Sequence, residues 1–159
     1  MGQAREVMDS LTRAVLAGDL SAIRDVYAKD AVAETPDAGR LVGRDAIADY
    51  LIEFSRAFPD LNFESERKLE ADDTAVDEGF MVGTNTGPLV MPDGELPPTG
   101  RSIRARACDV MTIRDGLAIE HRFYYDQLDF MTQLGLGEPQ TITLPDAQTR
   151  PRSDVGANT

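Results

Sequence analysis

The chain is poor in the side chains that bind metals and form cross-links. Among its 159 residues there is one cysteine, Cys108, and one histidine, His121. A lone cysteine excludes an internal disulfide framework and fits a reducing cytosol. One cysteine with one histidine supplies too few nitrogen and sulfur ligands for a zinc site, so no metal is expected. Positive charge is also scarce: 16 Lys and Arg stand against 28 Asp and Glu, a formal net charge of −12. That surface repels phosphate backbones and anionic lipid, which argues against nucleic-acid and membrane partners. No apolar run reaches the roughly 18 residues that suggest a membrane span, and the opening MGQAREVMDS has no apolar signal core. The cytoplasm is the expected location. A phosphate loop, a glycine fingerprint following a strand and a serine-centred nucleophile elbow are all missing, and no cofactor is expected.

What is present is a chain of one-domain length with 42% apolar residues, enough for a real core. Val7, Met8, Leu11, Ala14 and Val15 recur at helical spacing, and Gly18 supplies a stop. Asp19 can cap a second, short helix that buries Leu20, Ile23 and Tyr27. After AVAETP and an exposed turn at DAGRLVG, a third helix follows Gly43 and ends at Pro59. Its apolar face carries Ile47, Tyr50, Leu51, Phe54 and Phe58. From Leu61 the period changes to that of strands. LNFESERKLE and TAVDEGFMVGTNTG flank a turn at Asp72 and Asp73, and Gly79 and Gly83 in the second permit bending or close backbone approach. RSIRARACDVMTI and LAIEHRFYYD are further long strands. Between the two pairs lies GPLVMPDGELPPTG, residues 87–100, read as a Pro/Gly loop whose Leu89, Val90 and Met91 cover a cavity mouth or reach a neighbouring subunit. A short helix, FMTQLGL, ends at Gly137. Helices first and antiparallel strands after make an α+β fold, a curved sheet wrapped around N-terminal helices. The domain spans residues 1–136, and residues 137–159 read as an extended or disordered tail.

The order and the motifs resemble the SnoaL-like polyketide cyclase group of the nuclear transport factor 2-like superfamily, over roughly residues 4–136. The resemblance rests on AVLAGDLSAIRDVYAKDAV, on LVGRDAIADYL followed by FPDLNF, on GTNTGPL…PPTGRSIRARACDVMTIRDGLAIEH, and on the closing YYDQLDFMTQLGL. It implies a cone-shaped barrel with a ligand cavity at its open end, and a homodimer packed through the outer face of the sheet. It also implies ring closure by an aldol step without a metal, with an inward-facing aspartate as acid/base and a histidine nearby. This chain departs from that pattern at Phe123, an inward place on the last strand where a carboxylate would suit the chemistry.

The last hairpin can be read from its turn. A three-residue connection at Arg114–Gly116 sets Ile113 opposite Leu117, Met111 opposite Ile119 and Asp109 opposite His121. Directly paired side chains share a face. That apolar face takes in Met111, Phe123 and Tyr125 and should line the cavity, while Arg104, Arg106, Cys108, Glu120, Arg122 and Tyr124 point outward. Asp109 and His121 would then sit side by side, the carboxylate orienting an imidazole that serves as general base. Tyr125 and Asn85 could stabilise an enolate oxygen. Tyr50, Phe54, Met111 and Phe123 complete the expected substrate-binding wall. Asp126 is a secondary catalytic candidate, although its parity is outward and capping the final helix is the simpler role.

The leading expectation is therefore a cofactor-free cyclase or isomerase acting on a hydrophobic small molecule with a carbonyl group. A binding protein holding an apolar ligand in the same cone, or an assembly module using the outer face, are the alternatives. Catalysis would need Asp109 and His121 within hydrogen-bond reach and open to the cavity.

Overall fold

The structure is a computed structural model that describes residues 2–91 and 93–137; most of the tail expected from residue 137 lies outside the described residues. Three helices come first: α1 (Gln3–Leu16), α2 (Leu20–Val26) and, after strands β1 (Tyr27–Thr35) and β2 (Gly39–Val42), α3 (Arg44–Ala57). Then come β3 (Asn62–Ala71), β4 (Thr74–Thr84), a small hairpin β5 (Leu89–Met91) and β6 (Gly94–Leu96), the long pair β7 (Ser102–Arg114) and β8 (Leu117–Tyr125), and α4 (Gln127–Gln133). The main sheet has the order β2-β1-β8-β7-β4-β3, antiparallel except where β1 runs parallel to β8. Register irregularities interrupt β1–β8, β3–β4 and β7–β8. Bulges of this kind bend strands and increase twist, which curves the sheet. Its edges β2 and β3 do not pair with each other, so the cone is completed by helices and not by strand closure. No described helix is long and apolar enough to cross a membrane.

Local chemistry explains the element boundaries. The Asp19 side chain accepts from the Ala22 amide and starts α2. Gly2 has no capping side chain for α1. Glu70 of β3 supplies the cap from across the fold, accepting from the amides of Gly2 (2.7 Å) and Arg5 (3.0 Å). Those amide donors lower the Glu70 pKa. In β4, a side chain at Gly79 would collide with the Glu64 carbonyl beside the β3 bulge, so the close backbone approach foreseen at that glycine is real.

α1 packs on β4 and β7, and α3 on β1 and β2. Met8, Ile23, Ile47, Leu51 and Met111 form one apolar cluster beneath them. A second gathers Phe58, Leu89, Ile103, Phe130 and Leu134. Residues 87–100 are not the plain loop expected, because they contain the β5–β6 hairpin. Leu89 pairs with Leu96, Val90 with Glu95 and Met91 with Gly94. Leu89 is buried in the second cluster, which fixes the segment to the body of the fold, while Val90 stays exposed. On the outer face Arg104 pairs with Glu64, Arg106 with Glu66 and Glu78, and Arg122 with Glu120. The guanidinium groups of Arg104 and Arg106 lie over the Phe80 ring. The outward parity expected for these arginines holds, and their ion pairs run across strands at Arg104 and Arg106 and within β8 at Arg122.

Candidate functional site

Between α1, α3 and the inner face of the sheet is a cavity of about 110 Å³. Leu11 and Val15 line it from α1, Tyr50, Leu51 and Phe54 from α3, and Phe63 and Met81 from β3 and β4. β7 and β8 supply Ala107, Asp109, His121, Phe123 and Tyr125. The wall is mostly hydrocarbon and aromatic. His121 is 1% exposed, its ring lies 3.9 Å from that of Phe123, and Phe123 in turn meets Tyr50.

The expected Asp109–His121 partnership is not present, and the register explains why. The turn has two residues, not three. Asp115 and Gly116 both have positive φ, 52° and 78°, and Arg114 pairs with Leu117. Positive φ at both central residues is the signature of a type I′ hairpin. One position further on, Ile113 pairs with Ala118 while Thr112 pairs with Glu120, so Ile119 is bulged out. Turn and bulge together displace β8 by two residues from the expected register. Asp109 lies opposite Phe123, and His121 opposite Met111. A shift of two preserves side-chain parity, so Asp109 and His121 still line one cavity. They are not hydrogen-bonded to each other, so the orienting role assigned to the Asp109 carboxylate falls, and with it the paired mechanism that required the two within hydrogen-bond reach; any catalysis here uses the two groups separately.

His121 instead meets a residue of β1. The Tyr27 hydroxyl lies 2.7 Å from His121 Nδ1, both groups being fully buried. His121 Nε2 has no hydrogen-bond partner among the described residues. Burial pushes the imidazole pKa down to about 3, so the ring is neutral at physiological pH. Spacing alone places Tyr27 on the second helix. It is in fact the first residue of β1, and the parallel β1–β8 pairing sets it opposite Ala118.

Asp109 is half-buried and opens onto the cavity, and its carboxyl makes no hydrogen bond or ion pair to any described residue. Its pKa is pushed up to about 7, first by desolvation and then by the charge of Asp77, its cross-strand neighbour on β4. Asp77 is buried at 2% exposure and held by Arg5, itself 4% exposed, through a 3.4 Å contact. The Arg5 guanidinium is also fixed by Asp9 and by the Val76 carbonyl. Sequence reasoning missed Asp77 and Arg5 as well as Tyr27. The signal available was the inward parity of Asp77 in TAVDEGF.

The remaining candidates separate cleanly. Tyr50, Phe54, Phe123 and Tyr125 line the cavity. The Tyr50 hydroxyl donates to Asp37 Oδ1 at 2.9 Å. Tyr125 is raised in pKa by burial and then by the Asp37 charge. Met111 is fully buried in the first apolar cluster. Asn85, expected to serve as an enolate donor, is a structural clamp with no exposure. Its amide donates to the carbonyls of Ala57 and Gly87 and accepts from the backbone and hydroxyl of Thr99. Asp126 caps α4 through the Asp129 amide at 3.0 Å. Among the described residues, no three of His, Cys, Asp and Glu gather as a metal site would need.

The family model for SnoaL-like polyketide cyclases matches residues 5–134. The chain belongs to this family. Solved structures agree on the fold. The SnoaL-like polyketide cyclase candidate from Jannaschia sp. CCS1 superposes with a TM-score of 0.74 at 21% identity, covering 86% of this chain and 94% of that one. The polyketide cyclase candidate IdmH from Streptomyces antibioticus gives 0.67 at 24% identity, covering 84% and 99%. A protein of ketosteroid isomerase-like fold from Catenulispora acidiphila, in complex with trimethylamine, gives 0.67 at 16% identity, covering 82% and 93%. No curated protein matches by sequence. The nuclear transport factor 2-like fold class is thereby established for this SnoaL-like chain. Reaction is a separate matter, because one fold hosts many chemistries.

Proposed function

We propose that this SnoaL-like protein is a small-molecule enzyme of polyketide cyclase or isomerase type. Asp109 is its acid/base, acting on a hydrophobic, carbonyl-bearing substrate held in the cone. One observation carries the reading. A carboxyl group without a partner among the described residues lines a mostly apolar cavity, where desolvation and the neighbouring Asp77 push its pKa up to about 7. A structural carboxylate in such surroundings would be paired. An unpaired one that titrates near neutrality is suited to taking a proton from carbon and returning it elsewhere. The apolar, aromatic wall favours a flat hydrophobic substrate.

The test is loss of α-deuterium from aromatic β-keto ester probes, followed against pH. The expected profile has a limb near pH 7 from Asp109. Asp109→Asn should lower the rate by roughly 10²–10⁴-fold, the usual weight of a positioned acid/base. An unchanged rate and profile in that variant removes Asp109 from the chemistry. Probes that bind in the cavity without any catalysed exchange favour the second reading, a binding protein of the same fold.

A further inference from the structure

We propose that Tyr27 is a positioning residue. Its hydroxyl holds His121 in the Nε2–H form, and that N–H is the donor that receives the carbonyl or enolate oxygen of the ligand. The inference rests on the cavity being a ligand site and deepens the acid/base reading, assigning His121 the opposite role from the base expected of it.

Tyr27 OH and His121 Nδ1 are 2.7 Å apart, and neither group has another partner among the described residues. Suppose the imidazole carried its proton on Nδ1 and donated to the tyrosine oxygen. The tyrosine hydrogen would then have no acceptor and Nε2 would have no donor, two buried groups left wanting. If tyrosine donates to Nδ1, only the Nε2–H remains unmatched. A buried donor or acceptor without a partner is costly, so the second arrangement wins. The ring lines the cavity at 1% exposure with Nδ1 occupied, leaving Nε2 as its one polar atom for a ligand. A neutral imidazole donor is a known way to polarise a carbonyl without placing a full cation beside it.

The chemistry then balances. Asp109 takes a proton from the carbon next to the carbonyl. The electron pair moves onto the carbonyl oxygen, and His121 Nε2–H stabilises the developing oxyanion by donating a hydrogen bond without transferring its proton. Tyr50 is not free for this task because its hydroxyl already donates to Asp37. The ligand must therefore bring an oxygen acceptor to β8, with the carbon to be deprotonated facing β7.

The single histidine makes a direct test possible, since ¹⁵N-histidine labelling yields one pair of ring nitrogen signals. At pH 6 the wild-type protein should show the neutral Nε2–H tautomer. Tyr27→Phe, which removes only an oxygen, should lose that preference. The probe is 4-nitrophenol, whose ionised oxygen resembles an enolate and whose colour reports its ionisation. Saturating probe should shift Nε2 and its proton, and Tyr27→Phe should bind it about tenfold more weakly, the scale of one well-placed hydrogen bond. An Nδ1–H tautomer, an imidazolium at pH 6, no saturable binding, or binding that leaves Nε2 unmoved each overturn the proposal. The wild-type spectrum alone decides the tautomer even if the variant fails to fold. Nδ1–H with a strong Asp109→Asn defect sinks this inference and spares Asp109. Nε2–H with an unchanged Asp109→Asn rate does the reverse.

Discussion

Asn85 and His121 are two fully buried polar residues in one small domain, and they occupy opposite situations. Asn85 sits where the end of β4 meets the segment leading into β7, and four hydrogen bonds occupy its amide. His121 sits on the cavity wall with one nitrogen engaged and the other idle, near a carboxyl group that has no partner among the described residues. Burial does not distinguish them; satisfaction does. A buried polar group whose capacity is filled by its own chain holds the fold together. One left unfilled beside a cavity is kept for something that arrives later.

The sharpest way to break this comparison is Asn85→Ala. Removing four hydrogen bonds, several to backbone groups in the interior, should cost about 3 kcal/mol or more in urea unfolding. Proton-exchange activity of the folded fraction should stay at the wild-type level. A folded, stable variant with lost activity would place Asn85 with the site after all.

A second measurement sharpens the other half through pH. Asp109 has its pKa raised from 3.8 to about 7 in the folded chain, so its contribution to stability is fully present below pH 3.8 and is lost as pH rises through 7. His121 has its pKa lowered from 6.5 to about 3, so its contribution is present above pH 6.5 and is lost as pH falls toward 3. Between pH 4 and 6.5 the two trends oppose each other. Asp109→Asn removes one side of that balance. Its stability relative to wild type should therefore fall on acidification from pH 7 to pH 5, by about 1–2 kcal/mol in urea titrations. Parallel pH curves for the two proteins would contradict the shifts at the site.

The smallest effect belongs to Thr99→Val, which removes one hydroxyl donor to Asn85 Oδ1 and an acceptor for the Arg101 amide. A loss of about 1 kcal/mol is expected, with catalysis unaffected. A much larger cost would mean that the clamp is more cooperative than its separate bonds.

Much of this was legible in the sequence because local chemistry set it. Asp19 and Asp126 act as caps, Gly43 and Pro59 bracket α3, and the alternation along β7 and β8 fixed which side chains face inward. The partners of those side chains were not legible. The Asp115–Gly116 turn is one residue shorter than the reading took it to be, and the bulge at Ile119 has no mark in its sequence. Each error would have reversed the faces, and together they restored them, which is why Asp109 and His121 line the cavity yet do not touch. Tyr27 escaped for a different reason. Its role depends on a parallel pairing with a strand about ninety residues away in the chain, and no local pattern reports that. The hairpin in 87–100 was hidden by its shortness, three residues to a strand.

The open edge at β3 has a consequence for life in a crowded solution. An edge strand offers free amide and carbonyl groups to any passing strand, and Leu69 on β3 is 53% exposed. Lys68 and Glu70 flank it, and Glu64, Glu66 and Arg67 precede it on the same strand. Adding a second copy edge to edge would bring such charged rows together and strip water from them. The strand that leaves the cone open is thereby guarded against growing into an intermolecular sheet, and the charges that guard it also cap α1 and pair with Arg104 and Arg106, so protection from aggregation and the stability of the fold draw on the same side chains.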